Sequence, residues 1–144
     1  NIYEKIRMFH NIYFKNNFFI NKTTYSMNGE DLFIENFFKN KKGLYVDVGA
    51  YHPLELNNTY LLHKKKWKGV NIDINPLSID YFNFLRPNDI NLNLGVAKKN
   101  SSKMMYFQKN KSPLNTLNLS HAKKIFSNKY KKKDKNKNSY NYFR

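Results

Sequence analysis

Two acids, Asp47 and Asp73, raise the first chemical question. Asp47 lies inside the apolar run 44–48, and Asp73 stands near the end of a second run, 70–74. Runs this short and this rich in Val and Ile suit strands, and an ionised side chain rarely enters a strand core without a partner. Gly49 follows Asp47 directly, then Ala50 and Tyr51. A glycine at a strand end lets a ligand come close to the backbone. The dinucleotide fingerprint needs glycines at its first, third and sixth positions. Counted from Gly49, those places hold Tyr51 and Leu54, and Pro53 stands where a helix N-terminus would cradle pyrophosphate. The phosphate loop G-x-x-x-x-G-K-[ST] is absent as well. The ligand implied carries a positive group and no phosphate. S-adenosylmethionine, with its ammonium and sulfonium, meets that description. Asp73, 26 residues after Asp47, is placed to accept both hydroxyls of a ribose. The competing reading is that both acids cap loops and turns. Their joint position at two neighbouring strand ends favours a nucleoside site.

The elements that would hold these residues follow from periodicity. Asn28 can cap a helix whose first turn carries Glu30 and Asp31, where carboxylates suit the positive dipole end. Leu32, Phe33, Ile34, Phe37 and Phe38 recur at helical spacing, and Lys39 to Gly43 end the helix. A strand over 44–48 comes next, then a loop over 49–56. Asn57 or Asn58 can cap a second helix reaching about residue 66, with Tyr60, Leu61 and Leu62 on its buried side. A Trp67-Lys68-Gly69 turn leads to the strand over 70–74. Asn75-Pro76 is a strong helix start, and Ile79, Phe82 and Leu85 form the apolar stripe that follows. Arg86-Pro87-Asn88 stops that helix. Residues 89–97 read as a third strand and 103–108 as a fourth. The middle of the chain is thus β-α-β-α-β, which predicts a parallel sheet with right-handed crossovers and a ligand site at the carboxyl ends of its strands.

Composition bounds the rest. The chain has 144 residues, no Cys and a net charge of +16. Without Cys there is neither a disulfide framework nor a thiolate metal site. No run of 18 apolar residues suggests a membrane span. Residues 1–24 lack a signal-peptide core and clean periodicity, so they read as an N-terminal extension, either a helix packed on something else or a frayed end. Cytoplasmic residence is the default. The charge invites a basic nucleic-acid-binding function as an alternative, but two facts weaken it. Lys, Asn, Ile, Phe and Tyr make up 80 of the 144 residues, a balance that A/T-rich coding would produce by itself. Residues 121–144 carry +8 of the charge in a Lys/Asn-rich stretch that reads as a disordered tail over 120–144. With three Arg, the chain is poor in the side chain that recognition of nucleic acid favours.

Three stretches resemble the FkbM family of S-adenosylmethionine-dependent methyltransferases. They are YSMNGEDLFIENFF (25–38), YVDVGAYHPLELNNTYLLHKKKWKGVNIDINP (45–76) and RPNDINLNLGVA (86–97). They carry, in the family's order, G-E-D, D-x-G-A-x-x-P, N-T, W-x-G and I-D-x-N-P. The resemblance spans about residues 25–118 and implies the Rossmann-like class I methyltransferase fold, with S-adenosylmethionine as cofactor. It implies that Asp47, Gly49 and Ala50 hold the methionine end, with Tyr51 beside them. Asp73 would take the ribose, next to Ile74, Asn75 and Pro76 of the same signature. Gly95 and Val96, at the end of the third strand, would lie against the adenine. The acceptor implied is a hydroxyl of a sugar or small metabolite.

The resemblance also implies strands that this chain lacks. After Leu119 there is no room for another βα pair, so the domain over 25–119 reads as the cofactor half of an incomplete fold. The first strand would then offer an open edge for self-association, and a truncated, non-catalytic remnant or interaction module is the alternative function. No general base is assignable. His52 lies in the cofactor loop and is more often a packing residue there. His10, His63 and His121 show no metal-ligand spacing.

Overall fold

Val and Ile alternate with other residues in the first two strands, and the pattern sets a sheet with two unlike faces. The computed structural model describes residues 2–15, 22–97, 104–109, 112–126, 131–133 and 141–143. The chain divides into two units, residues 1–92 and 93–144. In the first, β1 (Leu44–Val48), β2 (Lys68–Ile72) and β3 (Ile90–Leu92) form a parallel sheet in the order β1-β2-β3. Tyr45 pairs with Gly69, Val46 with Val70 and Val48 with Ile72, and on the far side of β2 Val70 pairs with Ile90 and Ile72 with Leu92. The expected β-α-β-α-β core is therefore present, with β1 at an edge.

The helices of the first unit are α1 (Ile2–His10), running into a π-helical turn (Asn11–Lys15), α2 (Glu30–Phe38), α3 (Tyr60–Lys64) and α4 (Pro76–Leu85). Leu62 and Trp67 pack on Tyr45, joined by Ile34 and Phe38 of α2. Ile12, Tyr25, Leu54, Leu61 and Tyr81 make a second cluster. The N-terminal stretch, expected to be frayed or packed on something absent, is instead helical over residues 2–15 and packs on this unit's own core through Met8 and Ile12. α4 starts as its residues dictate: Asn75 accepts from Leu77 N at 3.2 Å and Pro76 follows at the first helical position.

The strand expected over 70–74 runs over Lys68–Ile72, so Lys68 and Gly69 are strand rather than turn and Asp73 lies just past its end. Three further expectations change. Asn28 does not cap α2. Gly29 takes that place at φ 87, without a side-chain cap, and Asn28 instead donates to Glu30. Asn57 and Asn58 do not cap α3 either: Thr59 holds the N-cap position, and Asn57 Oδ1 accepts from Thr59 N at 3.0 Å. The strand expected over 89–97 ends at Leu92, whose carbonyl accepts from Asp73 N at 3.1 Å. Asn93, a poor strand former, marks the break.

The second unit pairs β4 (Leu94–Val96) with β7 (Asn141–Phe143) in parallel and β5 (Met105–Phe107) with β6 (Lys131–Lys133) in antiparallel fashion. The fourth strand expected over 103–108 thus exists as β5, outside the parallel sheet. Where the sequence suggested a disordered tail, the described residues form α5 (Leu119–Phe126), which buries Ala122 and Phe126, and the two short strands β6 and β7. The turn expected over 98–102 lies outside the described residues.

Candidate functional site

The carboxyl ends of β1 and β2 bring seven of the nine expected ligand residues together. After Val48 the chain turns sharply: Gly49 N and Ala50 N both donate to Ile72 O, at 2.9 and 3.1 Å. Gly49 sits at φ 76, and a Cβ added there would meet nothing within 4 Å. The glycine is therefore required by its backbone, and the space beside it is open. Tyr51 has φ 56 although it is not glycine, and Leu56 has φ 51. Such backbone costs about 1–3 kcal/mol per residue and persists where surrounding bonds hold it.

Asp73 supplies one of those bonds. Its Oδ2 accepts from Tyr51 N at 2.8 Å and its Oδ1 from Asn75 N at 2.7 Å. The carboxylate thus fastens the loop after β1 to the loop after β2. Burial raises its pKa, the two amide bonds oppose that shift, and the charge of Asp47 adds to it. The Ser78 side chain also hydrogen-bonds this carboxylate. Ile74 is half-buried and Asn75 is buried as the cap of α4.

Asp47 points to the helix side of the sheet. Its Oδ2 accepts from Thr59 Oγ1 at 2.8 Å and from Asn57 Nδ2 at 3.4 Å. Behind these two residues lies Arg86, fully buried and not singled out by the sequence as more than a helix stop. One terminal nitrogen donates to Tyr45 Oη and Thr59 Oγ1, each at 3.1 Å. The other donates to Asn57 Oδ1 at 2.8 Å and to the Pro53 carbonyl. The guanidinium lies over the rings of Phe82 and Tyr60, 5.0 and 5.4 Å from their centroids. Burial lowers its pKa, while Tyr45, Asp89 and Asp47 favour its charge.

Tyr45 extends the network. Its hydroxyl donates to Asp89 Oδ2 at 2.7 Å, and burial pushes its pKa up to about 12. Asp89 also accepts from Gly69 N at 3.1 Å and Asn71 Nδ2 at 3.2 Å. Gly69 must lack a side chain, because a Cβ would overlap the Tyr45 hydroxyl and ring.

The weaker expectations resolve as follows. His52 is buried, packs on Tyr81 with ring centroids 4.9 Å apart and planes tilted by 57°, and accepts from Leu54 N and Glu55 N at 3.2 and 3.1 Å. Its Nδ1 therefore builds the loop. Asp31 is buried beneath Thr24–Ser26 and accepts from Thr24 Oγ1, Tyr25 N, Ser26 Oγ and Leu32 N. Gly95 and Val96 lie on β4, in register with Tyr142 and Phe143 of the second unit. With the third strand ending at Leu92, they are not its terminus. A cleft of about 170 Å³ lies at the amino ends of β2 and β3, lined by His63, Trp67, Lys68, Pro87 and Asp89 among others, and includes none of the carboxyl-edge residues. Among the described residues no group of His, Asp or Glu could hold a metal ion, and no helix is long and apolar enough to cross a membrane.

The chain matches no family model, no curated protein and no solved structure. The functional reading therefore rests on the residues and on the geometry of this edge.

Proposed function

We propose that the first unit is the cofactor-holding part of an S-adenosylmethionine-dependent methyltransferase of FkbM type. The observation that supports this most is the placement of Asp47 and Asp73 at the carboxyl ends of adjacent parallel strands, with the open turn at Gly49 between them. Ligands of open α/β sheets bind at such ends. In this reading Asp47 faces the ammonium of the methionine moiety and Asp73, at the end of β2, takes the ribose. The chemistry is direct displacement: the acceptor oxygen attacks the methyl carbon, the carbon–sulfur bond breaks, and the acceptor proton goes to a base. The protein's share is mainly alignment. A hydroxyl of a sugar or small metabolite is the proposed acceptor class.

Calorimetric titration of S-adenosylmethionine into the full chain and into Asp73→Asn tests this. Binding to the wild type and a loss of about tenfold or more in the variant are expected. A folded wild type that takes up no cofactor overturns the reading, and equal affinity in the variant removes Asp73 from it.

A second reading, an interaction module without turnover, is favoured by one observation. Leu44, Val46, Val48 and Ile90 are each 57–62 % exposed on one face of the sheet. Parallel sheets are normally covered on both faces. A protein that binds cofactor yet methylates no acceptor in a hydroxyl-compound screen would support this reading.

A further inference from the structure

We infer that Arg86 is the positioning residue of the carboxyl-edge site, holding residues 53–59 and the Asp47 carboxylate in place through Thr59, Asn57 and the Pro53 carbonyl. Where it concerns the cofactor, this rests on the methyl-donor reading above.

The argument starts from the fork of donors. Two terminal nitrogens reach four acceptors, and the acceptors fall into two branches. Pro53 O, Asn57 Oδ1 and Thr59 Oγ1 belong to the segment that carries the chain from the β1 turn into α3. Tyr45 Oη belongs to β1 and leads through Asp89 to Gly69 N and Asn71 at the amino half of the sheet. Among the described residues no carboxylate bonds Arg86 directly. Each branch ends on one instead, Asp47 through Thr59 and Asp89 through Tyr45. A buried cation with no counter-charge would be costly. Here two acids, one hydroxyl away on either side, balance it.

Thr59 is the hinge of the loop branch. Its hydroxyl accepts from Arg86 and has one proton to give. Asp47 Oδ2 at 2.8 Å and Asn57 Oδ1 at 3.1 Å compete for that proton. The charged acceptor makes the stronger bond, so the proton goes to Asp47. Arg86 and Thr59 together fix which way Asp47 faces. The same segment contains Leu56 at φ 51, a backbone state that needs external bonds to hold it. Lysine could not substitute, because a point ammonium cannot reach four divergent acceptors as a planar fork does.

The test compares three variants of the full chain, because Arg86 variants risk global unfolding. Thr59→Val removes the hydroxyl and keeps the shape, Thr59→Ser keeps the hydroxyl, and Tyr45→Phe cuts the other branch. Amide hydrogen exchange is read in the cofactor-free protein, and S-adenosylmethionine affinity by calorimetry. In Thr59→Val the amides of Asn57 and Thr59, now bonded to Tyr25 O and Asn57 Oδ1, should exchange about tenfold or more faster. The amides of Gly49 and Asp73, bonded within the sheet, should keep their rates, and cofactor affinity should fall about tenfold. Thr59→Ser should restore both. Tyr45→Phe should speed exchange at Gly69 and leave affinity within about twofold. Uniform acceleration across the unit in Thr59→Val, equal loss of affinity in Tyr45→Phe, or failure of Thr59→Ser to rescue overturns the inference. If the wild type takes up no S-adenosylmethionine, the methyl-donor reading falls, and the exchange pattern alone decides whether Arg86 positions the loop.

Discussion

Replacing Gly49 with Ala separates what the fold needs from what a ligand needs. The residue sits at φ 76 with nothing within 4 Å of an added Cβ. The cost to stability is then the backbone cost alone. An L-residue in the left-handed region costs about 1–2 kcal/mol. For a domain of this size each kcal/mol lowers the melting temperature by about 4–8 °C. The variant should therefore fold and melt roughly 4–16 °C below the wild type. The added methyl projects from the turn between Asp47 and Asp73, into the space the amino-acid end of the methyl donor would occupy. Cofactor affinity should fall about tenfold or more, an effect of about 1.4 kcal/mol on binding. Circular dichroism melts followed by calorimetric titration at a temperature where both proteins are folded would measure the two effects. A folded Gly49→Ala protein that binds S-adenosylmethionine as the wild type does would refute the placement of the ligand at this turn. A stability loss above about 4 kcal/mol would refute the claim that the space is open.

Gly69→Ala should behave in the opposite way, costing about 3–5 kcal/mol in chemical denaturation. Its Cβ overlaps Tyr45 and comes within 2.6 Å of Asp89 Oδ2, breaking a hydrogen bond to a charged group and overpacking the site; a cost below 1 kcal/mol would sink that reading. Asp31→Asn should cost about 2–4 kcal/mol near neutral pH, because four donors lose a buried carboxylate. Burial pushes the Asp31 pKa up, but the hydrogen bonds outweigh it and the net shift is downward. Its contribution is therefore full above the ordinary carboxylate range and lost as pH falls through and below it, so the two melting curves should converge as the pH is lowered beneath that range; a gap constant with pH would contradict this. Val46→Lys, on a position 57 % exposed, should change stability by less than about 0.5 kcal/mol and reduce light scattering at high concentration. Unchanged scattering would mean that this face does not drive self-association.

How much of this was legible depended on whether a signal was local. The β1 and β2 strands and the start of α4 were readable because a few adjacent residues specify each: Val-rich alternation for the strands, and Asn75-Pro76 for the helix. The α2 start was misread because Asn28, a good cap by type, is held by Glu30 instead. Its Phe33 and Phe37 have helical spacing, yet they are 73 % and 68 % exposed, while Asp31 is the buried member of the first turn. The break at Asn93 left no trace in the alternation, which runs on through residue 97. Arg86 was hidden for a different reason. Its partners come from positions 45, 53, 57 and 59, which share no period with it. One clue was available. In a chain with 23 Lys, Arg86 is the one Arg away from the ends, beside Arg7 and Arg144. A guanidinium kept where lysine is the common cation points to a site that needs the fork.

The two faces of the sheet then pose one physical problem. The face under the helices carries Tyr45, Asp47, Gly69, Asn71 and Asn91, mostly polar. The other carries Leu44, Val46, Val48, Val70, Ile72, Ile90 and Leu92, apolar apart from the exposed Lys68 opposite Leu44. Burying polar groups gains little net stability, because each bond made replaces one to water. What the buried network does supply is register. A one-residue slip of β1 against β2 would move Tyr45 off Gly69, the place in the sheet where its ring fits, and would separate its hydroxyl from Asp89 and Arg86. The helix-side face therefore fixes how the strands align and where Asp47 points. The apolar face holds the larger unused driving force, at about 25 cal/mol for each Å² that a cover would remove from water. Substitutions at the contacts of Asp47 should thus disturb ligand geometry more than association, and those on the apolar face the reverse. Thr59→Val, which removes the hydroxyl bonded to Asp47, and Val46→Lys are the paired tests of that division.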